Sequence, residues 1–332
     1  MTEHFWKDLR KPFSVLAPMA DVTDKAFRSI VSRCGRPDVY YTEFVSAHGL
    51  ASEGRSRLLL DLARSENERP IVAQFFGTNP EHLFQAGALA RQLGFDGVDL
   101  NMGCPDRSIL KQGAGAALIR NPSLAQDLIA ATREGAIDLP VAVKTRLGMH
   151  DIGEMDTWIP SILKAHPDVL IVHGRTVKEM SKVPAHWDYI GRAAVMAHDA
   201  NILCVGNGDV LSAKQGRGLA EQYGVDGYMV GRGIFHDPWL FHALDNQART
   251  PRERLHLLLT HTDAWIAQWD GIKSFDLMKK FYKVYASGWP GAANLRAKLM
   301  ESKTAHETRL IVEGYLHNEA LDASRTGTSE HL

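Results

Sequence analysis

Gly97-Val98-Asp99-Leu100 runs directly into Asn101-Met102-Gly103-Cys104-Pro105. The first four residues form a short run with the character of a buried strand, and the next five form a turn of polar and small residues where that strand ends. Seven further runs have the same character: Phe13–Ala17, Val39–Val45, Ile71–Phe76, Val141–Lys144, Val169–Val172, Ile202–Val205 and Gly227–Val230. Helical periodicity occupies the intervals, as in Pro80–Leu93, Leu124–Ala136, Trp158–Ala165 and Ser212–Tyr223. Strand and helix in alternation indicate parallel βαβ units, and runs apolar throughout indicate strands covered on both faces. An open doubly wound sheet would look alike locally. Eight units, with unusual polar residues just after nearly every one, predict instead a closed (β/α)8 or TIM barrel with a ring of functional loops.

After Pro238 the pattern becomes wholly helical, with Arg252–Trp269, Phe275–Ser287, Ala292–Met300 and Thr304–Leu316 separated by Gly and Pro. The expected organisation is a barrel over residues 1–245, a small helical domain over 246–321 and a flexible polar tail over 322–332.

The 332 residues are 45% hydrophobic and 23% charged, a globular balance. Met1 to Lys11 lacks the apolar core of a secretory signal, and no stretch of about 18 apolar residues occurs. A cytoplasmic location without membrane attachment is expected. Three cysteines, Cys34, Cys104 and Cys204, stand far apart with no Cys-x-x-Cys pair. That spacing argues against a disulfide framework or a zinc site and leaves single-thiol chemistry. The formal net charge of −1 gives no global attraction for nucleic acid, although a local basic face would suffice for phosphate contact.

Cys104 follows the fourth run, between Gly103 and Pro105, with Gly113-Ala114-Gly115-Ala116-Ala117 close behind. A thiol so placed faces the barrel mouth and suits a positioned acid or a nucleophile, an inert buried cysteine being the plainer alternative. Lys144 closes the fifth run and His173 the sixth; each either points into the mouth or serves structure alone. Near a flavin the lysine would stabilise negative charge on the reduced ring. Gly206-Asn207-Gly208-Asp209 and Gly231-Arg232-Gly233 follow the last two runs, the usual phosphate corner of such barrels, although either cluster alone could be a simple turn. Gln74 closes the third run and Pro18-Met19-Ala20 follow the first, an amide and a platform for the edge and face of a flat heterocycle. The absence of a carboxylate pair or His-rich set makes glycosidase and metal-hydrolase chemistry poor fits, and no metal is expected.

In this order these residues resemble the tRNA-dihydrouridine synthase family from about Phe13 to Leu316. The specific elements are Asn101-Met102-Gly103-Cys104-Pro105, Lys144 in Val143-Lys144-Thr145-Arg146-Leu147-Gly148, His173-Gly174-Arg175-Thr176, Gly206-Asn207-Gly208-Asp209, and Gly231-Arg232-Gly233 with Pro238-Trp239. Tyr285, Gly288, Pro290-Gly291-Ala292 and Leu295-Arg296 are similar to the family's carboxy-terminal signature. The resemblance implies an FMN enzyme, reduced by NADPH, that delivers hydride to C6 of a tRNA uracil while Cys104 protonates C5 from the opposite face. It further implies that Pro18, Met19 and Ala20 line the ring and that Gln74 and Lys144 meet its polar edge. His173 would neighbour the ribityl or phosphate, Asn207, Gly208, Asp209, Gly231 and Arg232 would hold the rest of the FMN, and Asn101 would help position the uracil. A base laid on a flavin must first be extruded from the tRNA. Arg175, Lys279, Lys280, Lys283, Arg296 and Lys298 are the substrate-side cations, a solvated helical face being the alternative for the lysine run. No obligate protein partner is expected.

The sequence departs from the family where a glutamine, a tyrosine and a glycine usually follow His173-Gly174-Arg175-Thr176. Glu179, Ser181 and Val183 stand there, with Ala185-His186-Trp187 kept in register. This divergence bears on the choice of target nucleotide. A flavin reductase of a small pyrimidine-like molecule and a catalytically silent tRNA-binding protein are the competing readings. The basic helical extension argues against the first, and the intact Cys104, Lys144 and His173 argue against the second.

Overall fold

The computed structural model describes residues 4–242 and 249–326, with side chains as far as residue 318. Eight parallel strands are present: β1 Phe13–Leu16, β2 Tyr40–Ser46, β3 Ile71–Phe76, β4 Gly97–Met102, β5 Val141–Arg146, β6 Val169–His173, β7 Leu203–Asn207 and β8 Gly227–Val230. They pair in the order β1-β8-β7-β6-β5-β4-β3-β2. A parallel bridge from Val15 to Val39, just ahead of β2, joins the two ends and closes the barrel. Several strands continue past their apolar runs: β4 includes Asn101 and Met102, β5 includes Thr145 and Arg146, and β7 reaches Asn207. Lys144 and Gln74 therefore lie inside strands and do not close them.

Side chains alternate across each strand. Val15, Tyr41, Val72, Ala142, Ile171, Val205 and Met229 point inward as an apolar floor. Trp6, from the short helix Phe5–Asp8, closes the lower end against Phe13 at a ring-centroid distance of 5.6 Å. Alternate residues such as Val98, Leu100 and Met102 join the layer between strands and helices. Helix starts follow local chemistry: Asp24, Asn79, Asn121, Ser212 and Thr250 each cap a first turn by accepting a backbone N–H, and proline opens three of these helices, at Pro80, Pro122 and Pro251.

Helix Lys25–Cys34 joins the barrel to the carboxy-terminal helices. Its N-cap Asp24 accepts from Trp269 Nε1 at 2.7 Å, and Gln268 Oε1 accepts from Ala26 N at 2.8 Å. Phe27 packs against Phe281 with the rings tilted and their centroids 5.0 Å apart. One buried apolar cluster thus runs from barrel to extension through Leu255, Leu258, Trp265, Trp269 and Leu299. The boundary assigned at 245/246 lies outside the described residues. The helix expected over Phe275–Ser287 is instead a 3-10 turn, Phe275–Phe281, followed by the short helix Tyr282–Tyr285. At three residues per turn Phe275, Met278 and Phe281 share one face, and all three pack into the core. The last helix, Ala305–Thr326, passes the Leu316 at which the periodicity stops and enters the residues assigned to the tail, of which 327–332 lie outside the described residues. Among the described residues no helix is long and apolar enough to cross a membrane.

On the same helix, Arg28 forms a fully buried pair with Glu68 through Nη2 at 2.9 Å; Nη2 also donates to the Ala63 carbonyl and Nη1 to the Thr23 carbonyl, both at 2.6 Å. With every partner satisfied the pair is tolerable, whereas removing one partner strands a buried charge. Glu68→Ala should lower unfolding free energy by about 3–5 kcal/mol, read from a urea melt. A loss below about 1 kcal/mol would show that Arg28 reaches water.

Candidate active site at the carboxyl end of the barrel

Two residues beyond the floor on seven strands or the turns they lead into stand Ala17, Glu43, Gln74, Lys144, His173, Asn207 and Gly231. By the same alternation Asp99 and Asn101 of β4 point inward. The barrel's carboxyl end is thus a polar layer on an apolar floor, the place where barrels of this type put their chemistry.

A cavity of about 670 Å³ opens there, within the usual size range of ligand pockets. Pro18 and Met19 form one wall, Lys144 and His173 reach in from β5 and β6, and Asn207, Gly208, Asp209, Gly231 and Arg232 form the corner after β7 and β8. Arg175, Lys280 and Lys283 complete the rim. Among the described lining residues five cations, Lys144, Arg175, Arg232, Lys280 and Lys283, face one carboxylate, Asp209. A near-neutral chain therefore carries a strongly positive hollow suited to an anionic ligand. A side chain at Gly231 would meet only Ala17 and Met19, both of which line the cavity, at 3.8 and 3.9 Å. Its absence keeps that corner open for a ligand.

Asp209 and Arg175 offset each other: the guanidinium meets Asp209 at 2.5 Å, donates to the Val183 carbonyl at 2.6 Å and contacts His173 Nε2 at 3.3 Å. Ala185 N also donates to Asp209. The divergent loop is ordered by Glu179, which accepts from Thr176 N at 2.8 Å and pairs with His186 at 2.9 Å. Burial, with Arg146, Lys144, Arg175 and Arg232 nearby, holds His173 well below the usual histidine range, so its ring is neutral. Burial, reinforced by Arg146 and opposed by Asp99 and Cys104, lowers Lys144 to about 8.

Cys104 is partly buried in the loop after β4; it does not line this hollow, but it lies near enough to Lys144 for their charges to interact. Its N–H and that of Gly103 donate to Asn101 Oδ1 at 2.9 and 3.1 Å. Arg146 ties the same loop down, donating from Nε to the Gly103 carbonyl at 2.8 Å and from its terminal nitrogen to the Thr176 carbonyl at 3.2 Å. Gly115, at φ +60°, passes so close that a Cβ would stand 2.9 Å from the Cys104 carbonyl, which accounts for the small-residue stretch. Burial raises the Cys104 thiol, opposed by the Asp106 N–H and by the charges of Lys144 and Arg146. A thiol so held keeps its proton near neutrality, as an acid requires, whereas an activated nucleophile has its pKa lowered. Cys34 and Cys204 are fully buried, Cys34 being pushed up to about 12, and belong to the core.

Other sequence-assigned residues lie apart from the cavity wall. Ala20 is exposed on the loop after β1. Gln74 and Asn101 do not line the cavity and are hydrogen-bonded to each other at 3.1 Å. Lys279 pairs with Asp276 at 2.6 Å, and Arg296 donates to the Ala286 carbonyl at 2.6 Å. Lys280 donates to the Asp21 carbonyl at 2.9 Å and fastens the extension to the loop after β1. Sequence reasoning passed over Asp99 and gave Arg146 no role. Their one signal was a charged residue at an inward position of a strand.

Residues 15–323 match the family model described as Dihydrouridine synthase (Dus). A "Probable tRNA-dihydrouridine synthase" of Staphylococcus aureus (strain COL) is 40% identical over 319 residues, 95% of this chain and 96% of that protein. A "Probable tRNA-dihydrouridine synthase 2" of Bacillus subtilis (strain 168) is 40% identical, over 95% of this chain and 97% of its own. Among solved structures a 2-naphthoyl-CoA reductase complex superposes with a TM-score of 0.53 at 12% identity, covering 69% of this chain and 49% of that one, a likeness of fold.

Proposed function

The chain belongs to the dihydrouridine synthase family and reduces uridine to dihydrouridine in tRNA, and from that premise we propose that it does so with FMN in the cavity, NADPH as reductant and Cys104 as acid. The observation that supports this reading is the pairing of a protonated, partly buried thiol with a cation-lined hollow on the same barrel rim. Bound there, FMN would carry hydride from NADPH to C6 of the uracil.

The residues fit that group. Arg232 and the turn amides of Gly208 and Gly231 suit a phosphate. Met19 and Pro18 offer an apolar face, Lys144 a cation for the ring's electron-rich edge, and His173 a neutral donor. Asp209 acts through Arg175, which it holds in place; Ala20 follows Met19 in the chain but lies off the wall and would meet the ring only from the exposed loop. Gln74, fully buried and off the cavity lining, would meet the flavin's polar edge only through the amide hydrogen that Asp99 leaves free. Cys104 Sγ gives its proton to C5 as C6 is reduced, and Asn101 keeps one amide hydrogen for the base. Lys283 on the cavity rim, with Lys279 and Arg296 beyond it, forms the basic face for the tRNA backbone, with the helices of 246–321 as the RNA-binding part. A tRNA substrate supports a cytoplasmic location.

Incubating purified protein with NADPH and unmodified tRNA should raise the tRNA mass by one H2 per reduced uridine. Persistent mass identity, with flavin bound and reducible, would contradict the tRNA reading and favour a small pyrimidine. Arg232→Ala should weaken FMN retention about tenfold or more, as losing one charge-assisted phosphate contact does, with the deficit growing as salt falls. Equal retention by ultrafiltration would move the phosphate elsewhere.

A further inference from the structure

The inward-facing amides of Gln74 and Asn101 form a chain with a direction. Asp99 is fully buried on β4, and one of its oxygens accepts from Gln74 Nε2 at 2.6 Å. Gln74 Oε1 accepts from Asn101 Nδ2 at 3.1 Å, and Asn101 Oδ1 accepts from Gly103 and Cys104 N–H. A side-chain amide has nearly the same shape either way round, so its partners decide which end is the acceptor. Backbone N–H groups at the Cys104 end can only donate, and the carboxylate at the other end can only accept. Turning either amide over would oppose two donors or two acceptors.

We propose that Asp99 is a positioning residue: it orients Gln74 and Asn101 and through them holds the Cys104 loop closed. This rests on Cys104 being the proton donor, as read above. The arrangement has a cost that a purely structural core would avoid. The second Asp99 oxygen and the neighbouring Tyr41 hydroxyl are buried with no more than a weak contact to each other, and a position so deep in a barrel is ordinarily apolar. A turn held only by packing would need neither amide nor carboxylate.

The test is alkylation of the full-length protein by iodoacetamide, resolved for each cysteine by mass spectrometry. It is run without tRNA at a pH above the value of about 7 to which burial raises Asp99. Cys34 and Cys204 report global opening. Asp99→Asn replaces an anchor that can only accept with an amide that can present either end, which loosens the chain and should speed Cys104 alkylation about three- to tenfold, the effect of losing one ordinary hydrogen bond, with the other two cysteines unchanged. Adding Gln74→Glu should restore the slow rate, because the new amide then donates to the new carboxylate, which still accepts from Asn101. An unchanged Cys104 rate in Asp99→Asn, equal acceleration at all three cysteines, or no rescue by the second change overturns the proposal. Should Asp99→Asn not fold, Gln74→Met cuts the chain one residue nearer the thiol, with the same expectation and the same refutation. The readout needs neither flavin nor turnover. A wild-type enzyme inert toward tRNA that still shows this pattern would therefore overturn the function and leave the relay standing.

Discussion

Cys104→Ala should bind FMN and be reduced by NADPH as the parent is, yet form dihydrouridine at least about 100-fold more slowly, the scale of a lost general acid. The argument is one of protonation state. Burial keeps the thiol above its ordinary value, so the proton is present below that raised value and is lost as pH rises through it. The parent's uridine step should therefore fall on the alkaline side, and the alanine variant's slow residual rate should lack the limb due to the thiol. Quantified dihydrouridine after single turnovers, followed across pH, reads both effects. An alanine variant with the parent's rate and profile removes the acid role and returns Cys104 to the loop's packing.

Lys144→Met should slow reduction of the flavin or of uridine by about 100-fold, as loss of one preorganised electrostatic contact does. Lys144 lies inside β5, two residues beyond the floor residue Ala142 and on the cavity lining. Its cation exists below about 8 and is lost above it. The parent should then show two alkaline limbs, the lower from Lys144 and the higher from Cys104, and the methionine variant should keep only the higher. Stopped-flow rates for NADPH oxidation and uridine reduction separate the steps. A variant that keeps the lower limb would place that ionisation on another group.

The barrel was legible because eight apolar runs of the right length alternate with helices, and because Asn101, Lys144, His173 and Asn207 break the apolar pattern at its edge. Strand ends were less so. The ladder continues through Thr145 and Arg146 on hydrogen bonds that ignore side-chain polarity, whereas a hydrophobic reading stops at Lys144. Cys104 stood out by its Gly and Pro neighbours, while the support beneath it did not, since Asp99 within a short run gives no sign of pairing with Gln74 from another strand. The cations divide similarly. Composition cannot tell Lys283, on the cavity rim, from Lys279, paired with Asp276, or from Arg296, engaged with Ala286. The expected helix over Phe275–Ser287 failed because Phe275, Met278 and Phe281 recur at every third residue, a spacing compatible with either helix type until packing selects the tighter one.

The central claim, that bound FMN passes reducing equivalents from NADPH to tRNA at this cavity, is tested most directly by one anaerobic titration of the purified, flavin-loaded protein. NADPH should bleach the visible flavin bands, and unmodified tRNA, but not fully dihydrouridylated tRNA, should restore them. Bands that bleach and stay bleached with unmodified tRNA would contradict the account.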